Sequence, residues 1–325
     1  MAGPAPAGDA AARPCHARAV PTPTDAVPPT APDPGALTSL DHVILAVRDL
    51  PAATRTYGTL LGRRPSWVGE HAGAGTANTL FRLENTYLEL LSPEGPGPVG
   101  DALRAVLEAR GEGPLGLAFG SDDAEACREA LAKRGLEPEP IEKGLGRDVE
   151  SGAFREWLRV PLPLARTRGV LLFPIQHLSP PELLPPSGAT ADEAACVFGL
   201  DHAVIQTSEP EATLALYGEG LGLRLALDRS FEQWGMRLIF FRVGGVTVEI
   251  AAPLEPDPAL AGDRFWGLSW RVRDADAARE RLLAAGVDVS EVRAGRKPGT
   301  RVLTVRGEPH GTATLLLEPP PPREA

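Results

Sequence analysis

The sequence has few cysteines and no long apolar run. Three cysteines occur in 325 residues, and this odd, widely spaced set (Cys15, Cys127 and Cys196) predicts neither a disulfide framework nor a thiolate metal site. No apolar stretch approaches the ~20 residues that span a membrane. The first residues also lack a basic start followed by an apolar segment. These absences predict a soluble, cytoplasmic protein that has no membrane partner.

Clusters of basic residues are also missing. The net charge is −10 and the lysines and arginines are scattered, so we expect no nucleic-acid partner. Apolar residues make up 43% and charged residues 23% of the chain, which is typical of a globular protein with a core. The length predicts about two domains of ~150 residues each. The expected partner is a small-molecule ligand or substrate, bound by a monomer or a homodimer.

Two proline-rich segments divide the chain. Residues 1–37 contain nine prolines and eleven alanines without apolar periodicity, and this composition predicts a disordered tail. A second proline-rich stretch, residues 179–195, is interpreted as a linker. The expected organisation is a tail, a first half over residues 38–178, the linker, and a second half over residues 196–320.

An internal repeat relates the two halves. Leu40-Asp41-His42 recurs as Leu200-Asp201-His202, at an offset of 160 residues. The same offset, without a gap, matches Tyr57-Gly58 with Tyr217-Gly218, Leu61-Gly62 with Leu221-Gly222, Phe81-Arg82 with Phe241-Arg242, Glu89 with Glu249, and Pro93 with Pro253. A register kept over roughly fifty positions indicates a duplicated unit.

Each half contains two copies of a shorter pattern. In the first copy, Asp49 is predicted to cap a helix that Gly62 ends, between a strand at 40–47 and strands near 64–68, 79–83 and 86–91. Further copies begin near residues 115, 200 and 267, with helices predicted at 122–134 and 274–285. The sequence therefore predicts an α+β fold of four βαβββ modules in two tandem halves, whose curved sheets form open clefts.

The alternation of the strands decides which side chains share a face. His42 and Glu89, 47 residues apart, both fall on the face away from the predicted helix. His202 and Glu249 repeat this separation in the second half, with Gln206 on the same face as His202. Each pair is therefore expected to line one concave sheet face.

The chemistry of these pairs leaves two alternatives. A carboxylate inside an apolar strand is costly unless it is paired, hydrogen-bonded or bound to a metal. Imidazole and carboxylate together suit Zn, Fe, Mn, Ni or Co. Either each pair contributes to a divalent metal site, with Glu89 and Glu249 as candidate catalytic residues, or each is a structural hydrogen bond and no metal is bound.

The pattern resembles the vicinal-oxygen-chelate superfamily, which includes glyoxalase I, extradiol dioxygenases and bleomycin-resistance proteins. The resemblance covers roughly residues 39–320. It is carried by the Leu-Asp-His strand, by Tyr87–Leu91, by His71–Asn78 and by Gln176-His177, which are most similar to the glyoxalase-like branch. The resemblance implies a metal between two modules, held by residues of their first and fourth strands. At those positions stand His42, Glu89, His202 and Glu249.

The even modules depart from this pattern. Gly116 stands at the first-strand position of the second module, and Gln176 at the fourth-strand position when Pro180 is aligned with Pro93. In the fourth module the corresponding residues are Gly267 and either Leu315 or Leu316, with Glu318 just outside. Extradiol chemistry, which needs two histidines and one carboxylate, is therefore disfavoured. Two arrangements stay open: sequential modules pair and form two clefts, or the odd modules face each other and form one site of two His and two Glu.

Other polar residues are candidate substrate contacts. His71 and Asn78 flank a glycine-rich loop, and Arg82 and Arg242 occupy matching positions that could hold an anion. Gln176 and Gln206 complete the substrate-binding candidates. His177 is predicted to face away from Gln176 and to be structural, Cys127 to lie in the core, and residues 144–147 and 293–299 to form loops.

Two functions follow as hypotheses. The first is a divalent-metal-dependent isomerase or lyase that acts on a small oxygenated organic molecule, with Glu89 or Glu249 as a ligand that also moves a proton. The alternative is a metal-free protein that binds a metabolite or an antibiotic, as the resistance branch does. In either case one half could be active and the other a structural relic.

Overall fold

A computed structural model describes residues 35–71, 73–255, 257–258, 260 and 262–321. The predicted tail lies outside the described residues as far as residue 34, and so does Cys15. Cys127 and Cys196 are both buried, and Cys127 packs in the core as predicted. Within the described residues, no helix is long and apolar enough to cross a membrane.

The first half folds into a closed barrel. Its elements are β1 (Ser39–Ala46), α1 (Leu50–Leu61), β2 (Trp67–His71), β3 (Thr76–Arg82), β4 (Tyr87–Pro93), α2 (Pro98–Arg110), β5 (Gly113–Gly120), α3 (Ala124–Lys133), β6 (Glu142–Asp148), β7 (Phe154–Arg159) and β8 (Leu171–His177). The strand order around the barrel is β1-β4-β3-β2-β6-β7-β8-β5. The sequence predicts an open cleft here, and the pairing of β2 with β6 closes it instead.

The second half is an open sheet. Its elements are β9 (Val197–Thr207), α4 (Pro210–Ala215), β10 (Arg224–Phe231), β11 (Met236–Val243), β12 (Val246–Pro253), β13 (Asp263–Val272), α5 (Ala275–Ala284), β14 (Arg293–Ala294), β15 (Arg301–Val305) and β16 (Ala313–Glu318). The strand order is β10-β11-β12-β9-β13-β16-β15-β14, with β10 and β14 at the two edges. This half therefore keeps the predicted open form.

Sequential modules share a sheet. β1 pairs with β5 in the first half, and β9 pairs with β13 in the second, both antiparallel. His42 and Glu89 consequently lie in one sheet, and His202 and Glu249 in the other. This excludes the arrangement in which all four residues form one shared site.

One hydrophobic core joins the two halves. It contains Tyr57 of α1 and Phe81 of β3 together with Phe241 of β11 and Trp270 of β13, all fully buried. Burial of such large side chains is the main favourable term in folding. The buried Arg63 adds a polar link, because its Nε donates to the carbonyl oxygen of Val197 at 2.8 Å. The sheet faces that point away from this core can therefore hold a functional site.

The first module forms its helix as the sequence predicts. Asp49 is the N-cap of α1 and accepts from the Ala52 backbone N–H at 2.8 Å. Gly62 ends the helix in the left-handed conformation, with φ 68°, which favours glycine. These ends fix the direction of β1 and of the chain that returns as β2.

Two elements of the first half are absent from the sequence prediction. α2 lies between β4 and β5, and its Leu103 and Leu107 pack on Ala46. β6 includes residues 144–147, which we predicted as a loop. Both elements bear on function, because α2 and β6 each supply part of the wall of the barrel cavity.

Candidate functional site

The barrel of the first half contains a cavity of ≈ 730 Å³ that is partly open to solvent. Much of its wall is apolar and aromatic: Ile44, Trp67, Leu80, Tyr87, Leu91, Leu103, Val106, Leu115, Trp157, Leu171, Phe173 and Ile175. Polar side chains share this wall, among them His42, His71, Asn78, Glu89, Arg155 and His177. A pocket of this size with a few convergent polar groups is typical of a small-molecule site.

His42 is held between two carboxylates. It projects from β1 into the cavity, where its ring stacks on Tyr87 with centroids 4.4 Å apart. Its Nδ1 lies 2.7 Å from Asp41 Oδ1, and its Nε2 lies 3.4 Å from Glu89 Oε2. Only 3% of His42 is exposed. The predicted pairing of His42 and Glu89 on one face is therefore realised, on the adjacent parallel strands β1 and β4.

Asn78 connects Glu89 to His71. Its Nδ2 donates to Glu89 Oε1 at 2.7 Å and lies 3.3 Å from His71 Nε2. The Nδ1 of His71 is in turn 2.8 Å from the Thr76 hydroxyl. The Oδ1 of Asn78 is buried and has no hydrogen-bond partner among the described residues. This oxygen is an acceptor that a bound molecule could satisfy.

The surroundings of His42 and Glu89 favour their charged forms. Burial alone lowers the pKa of His42, but its contacts with Asp41 and Glu89 outweigh this and raise that pKa to about 9. Burial alone raises the pKa of Glu89, but His42 and Asn78 reverse this and lower that pKa to about 2. Burial lowers the pKa of His71. The cavity therefore holds an imidazolium–carboxylate pair beside a neutral imidazole.

His177 belongs to this site, although the sequence indicates a structural role outside it. It lines the cavity, and its Nε2 lies 3.0 Å from Asp41 Oδ2. Its neighbour Gln176 faces the other way, and Gln176 Oε1 accepts from the Ala124 N–H at the start of α3 at 2.9 Å. The structure thus corrects both predictions: Gln176 caps a helix outside the cavity and His177 faces inward.

The register of the strands explains this exchange. Asp49 and Asp123 cap α1 and α3 in the same way, which makes Gly116 of β5 the counterpart of His42. Ile44 pairs with Glu89 and Ala118 pairs with Phe173, so Phe173 is the counterpart of Glu89. The sequence alignment placed Gln176 there, three residues away, and a shift by an odd number of residues moves every side chain of a strand to the opposite face.

The donor set does not fit the metal site that the resemblance implies. Of the four family positions in this barrel, two carry His42 and Glu89 and two carry Gly116 and Phe173. A Cβ on Gly116 would lie 2.4 Å from the Leu171 carbonyl oxygen, so this position cannot hold a side chain without movement of the backbone. The described residues contain no group of three or more His, Cys, Asp or Glu arranged to hold a metal ion. Catalytic metals usually have three protein ligands.

The second half holds a more open copy of the pair. His202 Nε2 lies 3.6 Å from Glu249 Oε2, and His202 Nδ1 lies 2.9 Å from Asp201 Oδ2. Arg271 takes the place of His177, since its Nε lies 2.9 Å from Asp201 Oδ1. The side chain of His202 is 19% exposed, compared with 4% for His42. This pair therefore lies on a sheet face open to solvent.

The remaining candidates of the second half lie on the same face. Arg242 is exposed and is paired in register with Thr247, which in turn pairs with His202. Gln206 pairs with Ala251, four residues along β9 from His202. Their assignment as substrate contacts stays a prediction.

Arg82 does not reach the barrel cavity. Its guanidinium donates to the carbonyl oxygen of Pro181 at 2.7 Å and also to that of Leu184. It therefore anchors the proline-rich segment after β8, which corrects its assignment as a substrate contact.

Comparison with known families agrees with this architecture. Residues 40–221 match the glyoxalase-like domain family, and residues 201–304 match the Glyoxalase/Bleomycin resistance protein/Dioxygenase superfamily. The chain belongs to the glyoxalase-like domain family, and this confirms the resemblance to the vicinal-oxygen-chelate superfamily. No curated protein matches the sequence.

Solved structures share the fold at low sequence identity. A mutant of 4-hydroxymandelate synthase from Streptomyces coelicolor is 18% identical with a TM-score of 0.62, over 87% of this chain and 92% of that one. A hypothetical protein from Staphylococcus aureus is 11% identical with a TM-score of 0.60, over 85% and 97%. Likeness at this level concerns the fold alone.

Proposed function

We propose that the protein binds a small, largely apolar organic molecule in the barrel cavity of its first half, without a metal ion. The observation that carries this proposal is the barrel cavity of ≈ 730 Å³, lined by aromatic and aliphatic side chains with polar groups grouped around His42 and Glu89. The apolar wall supplies affinity, and the polar groups fix the orientation of the ligand.

The acceptor atoms of Glu89 and Asn78 favour a ligand that carries a hydrogen-bond donor. Glu89 is held ionised, so its carboxylate accepts hydrogen bonds and donates none. The buried Asn78 Oδ1 is a second acceptor and has no partner among the described residues. A hydroxyl or N–H group of the ligand would satisfy this amide oxygen.

Binding is favoured over the metal-dependent isomerase or lyase reaction. Gly116 and Phe173 occupy the positions where the second module would supply metal ligands, so Lewis-acid chemistry lacks its usual donor set. The low pKa of Glu89, about 2, also makes this carboxylate a weak base for proton abstraction. The second half, with its open sheet, then serves mainly as a scaffold through the shared core.

The test combines metal analysis with binding of a neutral probe. The full chain, purified without an affinity tag, is analysed for total metal and titrated with 2-phenylethanol by calorimetry. Val106→Trp fills the cavity from α2 and is expected to weaken binding roughly tenfold or more. Glu108→Trp, on the exposed side of the same helix, is the matched control and should bind as the wild type does.

Two results would overturn the proposal. Stoichiometric metal in the wild type that is lost in Glu89→Ala would establish a metal site. Absence of probe binding in the wild type, or equal binding by Val106→Trp, would remove the cavity as the ligand site.

A further inference from the structure

A buried arginine faces the cavity without an acidic partner. Arg155, on β7, is 8% exposed and lines the cavity. Its Cζ lies 5.6 Å from the ring centroid of Trp67 and 5.9 Å from that of Tyr87. Among the described residues, no carboxylate forms an ion pair with Arg155 and no oxygen accepts a hydrogen bond from its guanidinium. A buried, charged group left in this state is costly.

The other cationic side chains that β6 and β7 contribute to the cavity wall differ from Arg155. Arg159 Nη2 lies 2.5 Å from Glu142 Oε2, and Lys143 Nζ lies 2.9 Å from Glu156 Oε1. The Arg159 and Lys143 side chains are 35% and 57% exposed. Both have a carboxylate partner and access to water. Arg155 is only 8% exposed and has no carboxylate partner among the described residues, so its charge is available to a molecule inside the cavity.

The nearby carboxylates are already engaged. Glu89 contacts His42 and Asn78, and Asp41 contacts His42 and His177. The contacts of both acids are therefore with groups other than Arg155. Trp67 and Tyr87 interact with its positive charge through their rings, and this stabilises the guanidinium but uses none of its five N–H donors on an oxygen.

We propose that Arg155 binds a carboxylate of the ligand, so that the natural ligand is an organic acid with an apolar body. This inference rests on the proposed function and specifies the ligand class. A guanidinium presents paired N–H donors that match the two oxygens of a carboxylate. Arg155 brings one buried positive charge without a carboxylate partner to the cavity, and a single charge favours a carboxylate over a phosphate dianion.

The test uses matched probes that share one apolar body. Phenylacetate, 2-phenylethanol and phenyl phosphate are titrated into the wild-type full chain and into Arg155→Met. The wild type is expected to bind phenylacetate roughly tenfold or more tightly than 2-phenylethanol. In Arg155→Met this preference disappears, while the affinity for 2-phenylethanol changes little. Arg128→Met, an exposed arginine paired with Glu125 on α3, is the charge-matched control and should keep the preference.

The outcomes separate this inference from the proposed function. If 2-phenylethanol binds and Val106→Trp blocks it, but phenylacetate shows no advantage, the cavity site stands and the assignment of Arg155 is wrong. A stronger preference for phenyl phosphate that depends on Arg155 also overturns the carboxylate assignment. If neither 2-phenylethanol nor phenylacetate binds to the wild type, both proposals fail. Retention of the carboxylate preference by folded Arg155→Met, checked by circular dichroism, overturns this inference alone.

Discussion

His177 and Asp41 lie 136 residues apart in the chain, yet His177 Nε2 is 3.0 Å from Asp41 Oδ2. The contact joins β8 to β1 across the intervening strand β5. Asp41 thereby contacts two imidazoles, because His42 binds its other oxygen at 2.7 Å. The acid orients His42, and His177 in turn orients the acid.

Replacement of His177 should loosen this arrangement. We expect His177→Ala to reduce the free energy of unfolding by about 0.5–1.5 kcal/mol, the usual contribution of one hydrogen bond. The pKa of His42 should change little, since Asp41 and Glu89 both remain beside it. Urea unfolding and an NMR titration of His42 measure the two effects. A drop in the His42 pKa to its ordinary value would contradict this assignment.

The raised pKa of His42 predicts a loss of stability at alkaline pH. Its pKa is 6.5 in the unfolded chain and about 9 in the folded protein. The stabilising contribution is therefore complete below pH 6.5 and is lost as the pH rises through about 9. We expect a decrease in the free energy of unfolding of about 3 kcal/mol across this range. His42→Gln should remove this pH dependence and His202→Gln should keep it.

Glu89 should matter more for stability than its counterpart Glu249. Glu89→Gln leaves the buried His42 imidazolium with one carboxylate, and we expect a loss of about 1–3 kcal/mol and a lower pKa for His42. Glu249→Gln removes the partner of the more exposed His202 and should cost under about 1 kcal/mol. Parallel urea unfolding of the two variants makes the comparison. Equal losses in the free energy of unfolding would show that the deeper burial of His42 and Glu89 does not increase the contribution of this pair to stability.

Replacing Gly116, which stands where the second module would supply a metal ligand, by histidine should not create a metal site. Gly116→His restores the residue type that the first module has, but its Cβ would lie 2.4 Å from the Leu171 carbonyl oxygen. We expect a loss of about 1–3 kcal/mol in stability and no gain in zinc binding. Calorimetric zinc titration is the measurement. A stable variant that binds zinc stoichiometrically would show that the backbone adjusts easily.

Arg82 should affect stability but not ligand binding. Arg82→Met removes the hydrogen bonds to the carbonyl oxygens of Pro181 and Leu184, with an expected loss of about 1–2 kcal/mol. Binding of phenylacetate should match the wild type. A loss of affinity for phenylacetate without a loss of stability would show that Arg82 contacts the ligand.

The sequence predicted the first module well because its signals are local. Asp49 and Gly62 mark the ends of α1, and strand alternation places His42 and Glu89 on one face. Because the repeat has an offset of 160 residues, the same alternation predicted that His202 and Glu249 also share one face. These features depend on neighbours in the chain, so one sequence reveals them.

The missed features depend on tertiary contacts. β6 contains two glycines and no apolar alternation, and it becomes a strand because β7 and β2 pair with it. Aligning Pro180 with Pro93 gave the wrong inward face of β8, because Pro93 ends β4 whereas Pro180 lies beyond the end of β8, at His177. No sequence pattern marks Arg155 as a ligand contact, because its lack of an acidic partner is visible only in the folded barrel.

The barrel is closed along a narrow seam. β2 and β6 join through two residue pairs, Gly69 with Asp148 and Glu70 with Arg147, whereas β3 and β4 join through seven. Local opening needs the fewest broken contacts where a ladder is shortest. The barrel should therefore open first between β2 and β6, and amide hydrogen exchange should be fastest there among the barrel strands.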